Sequence, residues 1–169
     1  MKIQMIISSL LMSAMVAHAE GTPKLGYVDM QTAIQTVKDG KDAKKKLEGE
    51  MTKKKADLEK KKGEIEKMGQ EFEKKAAVLA DDVRAKKESE LGMEMRKYQE
   101  LVAKTQMELQ KQERDLMVPI VNKLRDVIKD IATKDGYTMV FEKSEQTVLF
   151  AQKDTDLTDR VITEYGKKK

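Results

Sequence analysis

Lysine carries the densest chemistry in this sequence. Lys44-Lys45-Lys46, Lys53-Lys54-Lys55 and Lys60-Lys61-Lys62 form three triplets, and Lys74 and Lys75 follow them. An exposed, unpaired ammonium group raises the local concentration of anionic partners, over a distance that salt shortens. From Lys41 to Ala80 there are 13 basic and 9 acidic residues, and from Asp81 to Val118 there are 8 and 9. The attraction therefore belongs to the first half of this stretch. Many of these lysines also stand one helical turn from a glutamate, which keeps such a surface soluble and supports a helix. Methionine is the second group, with 12 in the chain. Met68, Met93, Met95 and Met107 carry adaptable thioethers suited to weak, unspecific apolar contacts.

The remaining inventory excludes whole classes of chemistry. The chain has no Cys, and its one His is His18. His18 lies in a segment that reads as a removable leader, so zinc sites of the His/Cys kind and Ser-His or Cys-His nucleophile pairs are not expected. Past that leader the serines are Ser89 and Ser144. No glycine-rich phosphate loop occurs. Paired carboxylates such as Asp81-Asp82 and Glu64/Glu66 fall on exposed helix faces, where nothing would shift a pKa toward acid–base work. The expectation is a protein that is not an enzyme and uses no cofactor or metal.

These groups are positioned by a long helical stretch. Met51, Leu58, Ile65, Phe72 and Leu79 recur every seven residues, and Met95, Val102, Leu109 and Leu116 do so on a second run. A sustained seven-residue apolar repeat is the pattern of helices that wrap around each other. Ala80-Asp81-Asp82 is the expected turn. In an antiparallel hairpin the numbers of facing residues must sum to a constant. Leu79/Val83, Phe72/Leu91, Ile65/Tyr98, Leu58/Val102, Met51/Leu109 and Leu47/Leu116 all do so within one helical turn. The seam is thin, because Lys54, Lys61 and Lys75 share its inner positions with Leu47 and Met68. One such stripe holds two helices together but cannot pack a third layer. The pair should project as an arm of roughly 55–60 Å at ~1.5 Å per residue. Gly63, Gly69 and Gly92 interrupt it, each costing about 1 kcal/mol relative to Ala. Gly69 and Gly92 face each other in the hairpin register. They are either a site of close backbone packing or a shared hinge.

The first nineteen residues resemble an export signal. Lys2 gives the positive start, Ile3 to Val16 is largely apolar, and Ala17-His18-Ala19 is a small-x-small cleavage pattern. Cleavage is expected between Ala19 and Glu20, since the run is shorter than the ~20 residues a membrane-spanning helix needs. An exported protein without disulfides needs another staple, and self-association is the obvious one.

What remains is a small body assembled from both ends of the chain, residues 20–40 and 117–169, with the arm, 41–116, inserted. Leu25, Tyr27 and Val28 mark a first strand. Asp29 should cap a short helix ended by Gly40, and Asp42 should cap the long one. Pro119 should kink the returning helix, which Gly136 ends. Tyr137, Met139 and Phe141 mark a second strand. Val148 and Phe150 mark a third, over 147–151, paired to the second through a turn at 143–146. Asp156 or Thr155 should cap a final helix. The fold class is α+β, mainly helical, with a β-rich body whose open edges call for partners.

The order of these segments resembles the Skp (OmpH-like) family of periplasmic chaperones. The resemblance is carried by Lys24-Leu25-Gly26-Tyr27-Val28-Asp29, Pro119-Ile120-Val121, Gly136-Tyr137-Thr138-Met139-Val140-Phe141 and Asp156-Leu157-Thr158-Asp159-Arg160-Val161-Ile162. It implies a jellyfish-like homotrimer in which three bodies share a β-rich core and three helical arms surround a cavity. It further implies ATP-independent holding of unfolded outer-membrane proteins in the periplasm; the family is also linked to anionic lipid or lipopolysaccharide through basic arm residues, a motif that has no residue-by-residue match here. On that reading Lys53, Lys54, Lys55, Lys60, Lys61, Lys62, Lys74, Lys75, Met68 and Met95 meet clients, and Gly63, Gly69 and Gly92 let the arm bend. Leu25, Tyr27, Val28, Tyr137, Met139, Phe141, Val148 and Phe150 serve the body and its association. A coiled-coil envelope spacer is the alternative. Nucleic acid is disfavoured by the leader and by a net charge of only +4.

Overall fold

The structure is a computed structural model that describes residues 22–144 and 147–168. The expected cleavage site at Ala19 and Glu20, and part of the expected turn at 143–146, lie outside them. Strand β1, Leu25–Val28, leads into helix α1, Met30–Thr36. Helix α2, Lys38–Lys75, runs out, and helix α3, Asp81–Asp135, returns. Strand β2, Met139–Glu142, and helix α4, Thr158–Lys167, complete the chain.

The hairpin forms in the register expected from the repeat. Met68, Phe72 and Leu79 from α2 line one shallow pocket with Lys87 and Leu91 from α3. Leu58, Ile65, Phe72, Leu91, Tyr98 and Leu109 are half-buried along the seam. Expectations about it fail at Met51, Met95, Val102 and Lys75, which are exposed, and at the turn. Met51 and Met95 are about half exposed and Val102 faces outward as well. Their places are taken by Thr105, which is 6% exposed, and by Lys54 and Lys61, which lean inward. The turn also lies earlier: a single 3-10 turn at Ala76–Val78 precedes Leu79 and Ala80. Asp81 and Asp82 instead occupy the first turn of α3, where carboxylates favour the helix N-terminus.

Helix α3 continues through Pro119 to Asp135 and ends at Gly136, as expected. Proline deletes one helix hydrogen bond, and Pro119 sits on the exposed side, where water can satisfy the freed carbonyl. The same helix thus belongs to arm and body. Beyond the proline its Ile120, Leu124, Val127 and Ile131 form the core with Val28, Ala33, Val37, Leu157, Val161 and Tyr165. Gly136 closes it in the left-handed region at φ 72, and the Tyr137 amide donates back to Ala132 O at 2.9 Å.

Asp29 caps α1 as expected, its Oδ1 accepting from the Thr32 amide at 2.8 Å. Gly40 and Asp42 do not act as expected. The chain breaks at Val37, α2 starts at Lys38, and Asp39 is the acidic residue of its first turn. Gly40 lies inside α2 because α1 crosses there: a Cβ would fall 1.8 Å from the Ile34 carbonyl oxygen. The N-cap of α4 is Leu157, not Asp156 or Thr155 as expected; Asp156, one residue earlier, still accepts from the Thr158 amide through Oδ1 at 2.9 Å.

The sheet differs most from expectation. It has two strands, β1 and β2, parallel, with Leu25 beside Met139 and Tyr27 beside Phe141. The third strand over 147–151 does not form. The far side of β1 is met by Asp156, with the Leu157 amide donating to Tyr27 O at 2.9 Å, while the outer edge of β2 pairs with no strand of the described residues. Leu149 and Phe150 are left 92% and 88% exposed. Leu25, Met139 and Phe141 are exposed as well, so the outer face of the sheet is apolar and open.

The glycines make contrasting predictions. Gly40→Ala meets rigid backbone and should destabilise the fold by at least the ~1–3 kcal/mol typical of overpacking. A Cβ at Gly92 meets nothing within 4 Å, so Gly92→Ala should stabilise the protein by about 1 kcal/mol through helix propensity. Urea titration of both variants checks this.

Candidate functional site

The arm presents the groups singled out by the sequence, and the structure divides them into two kinds. Lys54 and Lys61 are struts. Lys54 Nζ donates to Glu108 Oε2 at 2.7 Å, and Lys61 Nζ to Glu94 Oε2 at 2.7 Å, so each crosses from α2 to α3. Lys97, one turn along α3, donates to the other oxygen of Glu94, also at 2.7 Å. Lys62 pairs along its own helix with Glu66 at 3.7 Å. Lys53, Lys55, Lys60, Lys74 and Lys75 are exposed, and no carboxylate of the described residues stands within salt-bridge distance of them. These five are free to meet an outside anion.

The struts perturb their carboxylates. Glu94 is held down to about 2, first by the Lys61 hydrogen bond and next by Lys97. Glu108 is held below the ordinary carboxylate value, first by the Lys54 hydrogen bond. The ammonium groups of Lys54 and Lys61 are raised in turn by the same bonds. Lysine stems at seam positions cover part of the apolar stripe while their heads reach a partner, which explains how a seam interrupted by charge stays closed.

The methionines lie on the outside. Met51, Met68, Met93, Met95 and Met107 are all exposed. The hinge candidates have room around them. A Cβ at Gly63 or Gly92 would meet nothing within 4 Å, and one at Gly69 would only touch Leu91 Cδ2 at 4.0 Å. Close backbone packing therefore does not require glycine at these places.

At the arm root the structure holds a cluster that sequence reasoning missed. Tyr165 of α4, 3% exposed, donates its hydroxyl to Asp39 Oδ2 at 2.8 Å. Lys123 of α3 stands 4.3 Å over the Tyr165 ring and 3.8 Å from Asp39 Oδ2. Burial and the Asp39 hydrogen bond push the phenol well above its usual range, so it stays protonated as a donor. This ties α4 to the start of α2 and to α3. The only sequence signal was a tyrosine on the apolar face of α4; its partner is 126 residues away.

The body candidates divide too. Val28 is buried in the core, and Tyr137 packs against it. Leu25, Met139, Phe141 and Phe150 open outward, with Tyr27 and Val148 half-buried. A cavity of about 740 Å³ lies between β1 and the 147–152 segment, lined by Leu25, Tyr27, Phe141, Val148 and Phe150 among others. Among the described residues, no helix is long and apolar enough to cross a membrane.

Comparison with known proteins adds three findings. The family model described as outer membrane protein (OmpH-like) matches residues 24–165. A chain from Caulobacter crescentus CB15, described as a candidate outer membrane chaperone (OmpH-like), superposes with a TM-score of 0.75. That match covers 89% of this chain and 88% of the other at 16% identity, and so speaks to the fold. No curated protein matches the sequence.

The struts predict an acid response. A carboxylate depressed in the folded state stabilises the fold above its unfolded pKa and loses that contribution as pH falls through the folded one. For Glu94 the window runs from its ordinary 4.5 down to about 2. The helical melting temperature should fall across that window. Glu94→Gln should melt lower than wild type at neutral pH, show a shallower acid limb, and converge with wild type at the acid end.

Proposed function

The chain belongs to the OmpH-like (Skp) family of outer membrane chaperones, and on that basis we propose that it is a periplasmic, ATP-independent holdase for unfolded outer-membrane proteins. The observation that carries the reading is the arm. Helix α2 has 38 residues and so reaches about 57 Å at ~1.5 Å per residue, yet it encloses no core. A surface of that size, carrying free lysines and exposed methionines, suits many partners with an extended, partly acidic, apolar chain. The lysines draw the client in from a distance. The methionines make contacts that are individually weak and tolerant of sequence. Bending at Gly63, Gly69 and Gly92 adapts the enclosed space to client size. The free lysines suit anionic lipid or lipopolysaccharide as a further partner.

We propose also that three bodies associate through the outer face of the sheet and the 147–152 segment, giving three arms around one cavity. The open strand edge and the exposed Leu149 and Phe150 support association. The number three rests on the family resemblance.

Purified protein, without nucleotide, should suppress aggregation of a urea-unfolded β-barrel membrane protein on dilution. Association should slow as salt rises, and the double variant Gly69→Ala, Gly92→Ala should retain small clients while losing large ones. Failure to suppress aggregation, with capture of one fixed envelope partner instead, would favour the spacer reading. In a separate measurement, the mass of wild type in solution should be that of three chains. Phe150→Asp, at a site that touches no core in the single chain, should reduce it to one chain with helicity intact.

A further inference from the structure

The arm's methionines all lie on its open faces, together with Val78, Val83, Leu101 and Val102. The half-buried residues of the seam include Leu58, Ile65, Phe72, Leu91, Tyr98 and Leu109, and Met68 borders it beside Phe72 and Leu91. Every arm methionine faces solvent, from 39% exposed at Met68 to 69% at Met107. Helix propensity does not require this, because Met and Leu rank alike. Nor does packing, since Met fills irregular gaps well and would be tolerated inside. In the body Met30 is 8% exposed, within the core, while Met139 is exposed. The chain contains no Cys, so thioethers are its only oxidisable sulfur.

We infer that Met51, Met68, Met93, Met95 and Met107 form an oxidant-sensitive surface, in which peroxide converts the thioethers to sulfoxides and so loosens the arm's hold on apolar chain. The inference rests on the holdase reading of the same arm. The chemistry is a two-electron transfer. A sulfur lone pair attacks one peroxide oxygen, the S–O bond forms as the O–O bond breaks, and hydrogen peroxide leaves as one molecule of water. Sulfur is oxidised and peroxide reduced, with no other reactant. The product is polar and can no longer offer a purely apolar contact; sulfoxide reductases, one for each epimer, restore the thioether. The geometry confines the damage to the surface. Met93 and Met95 flank Glu94, yet the Glu94–Lys61 strut contains no sulfur and only Met68 borders the apolar seam, so the hairpin should survive oxidation.

The test treats the full-length protein with dilute hydrogen peroxide. Peptide mass spectrometry should find the five arm methionines oxidised many-fold faster than Met30, with helicity by circular dichroism unchanged. Aggregation suppression of an unfolded β-barrel protein should fall several-fold and return on treatment with both classes of sulfoxide reductase. A variant carrying Met→Leu at all five positions, whatever its starting level of suppression, should lose none of it on peroxide treatment. Oxidised wild type that suppresses as well as untreated protein would overturn the inference. So would a five-leucine variant that loses as much as wild type on oxidation, since the sensitive sulfur would then lie off the arm. Untreated protein that fails to suppress aggregation would instead overturn the holdase reading, and this inference with it.

Discussion

Two helices packed only against each other bury one stripe apiece and leave the rest of their surface in water. This limit shapes the whole molecule. The arm cannot draw stability from a core of its own, so it must be rooted in one. Helix α3 provides the root by running through Pro119 into the body, where Ile120, Leu124, Val127 and Ile131 are buried. Helix α2 has no such continuation, and its start is held by the tight crossing at Gly40 and by the Tyr165–Asp39 hydrogen bond. The C-terminal helix therefore acts as a clamp on the arm, although it lies wholly in the body.

The same limit explains how surface chemistry is divided. Lysines at inner positions close the seam by reaching carboxylates on the other helix, while lysines one or two positions away stay free. Branched and aromatic side chains fill the covered stripe, and every arm thioether lies on an open face, where Val78, Leu101 and Val102 also stand. A surface with charge for reach and sulfur for contact suits a task in which no single client shape is recognised. The body is complementary in kind: its sheet is short, its outer face is apolar, and the 147–151 segment does not add a strand to the open edge of β2. Association is the proposed remedy, and it would set the arms facing one another.

Much of this was legible in the sequence because a hairpin imposes a rule on residue numbers. The heptads and the constant sum located both helices and brought Phe72 to Leu91. Capping at Asp29 and the left-handed Gly136 followed from local chemistry that needs no distant partner. The errors lay where neighbours decide. Met51 and Met95 keep the heptad spacing but lose their seam places, because Lys54 and Lys61 with their glutamate partners fill the space. Gly40 looked like a helix end, yet it is glycine because α1 crosses against it. The 147–151 segment has strand composition, but a strand needs an edge, and composition does not say on which chain that edge lies. The Tyr165–Asp39–Lys123 cluster joins three helices far apart in sequence, and no local pattern announces it.

The central claim is that the outside of the arm, not the body, meets unfolded chain. Site-specific photocrosslinking tests it most directly. A photoreactive residue is placed at Met107 on the arm or at Lys129 on the exposed side of α3 in the body, and the protein is mixed with an unfolded β-barrel membrane protein. The account predicts strong crosslinks from Met107 and few from Lys129. Equal labelling at both, or labelling confined to the body, would contradict it.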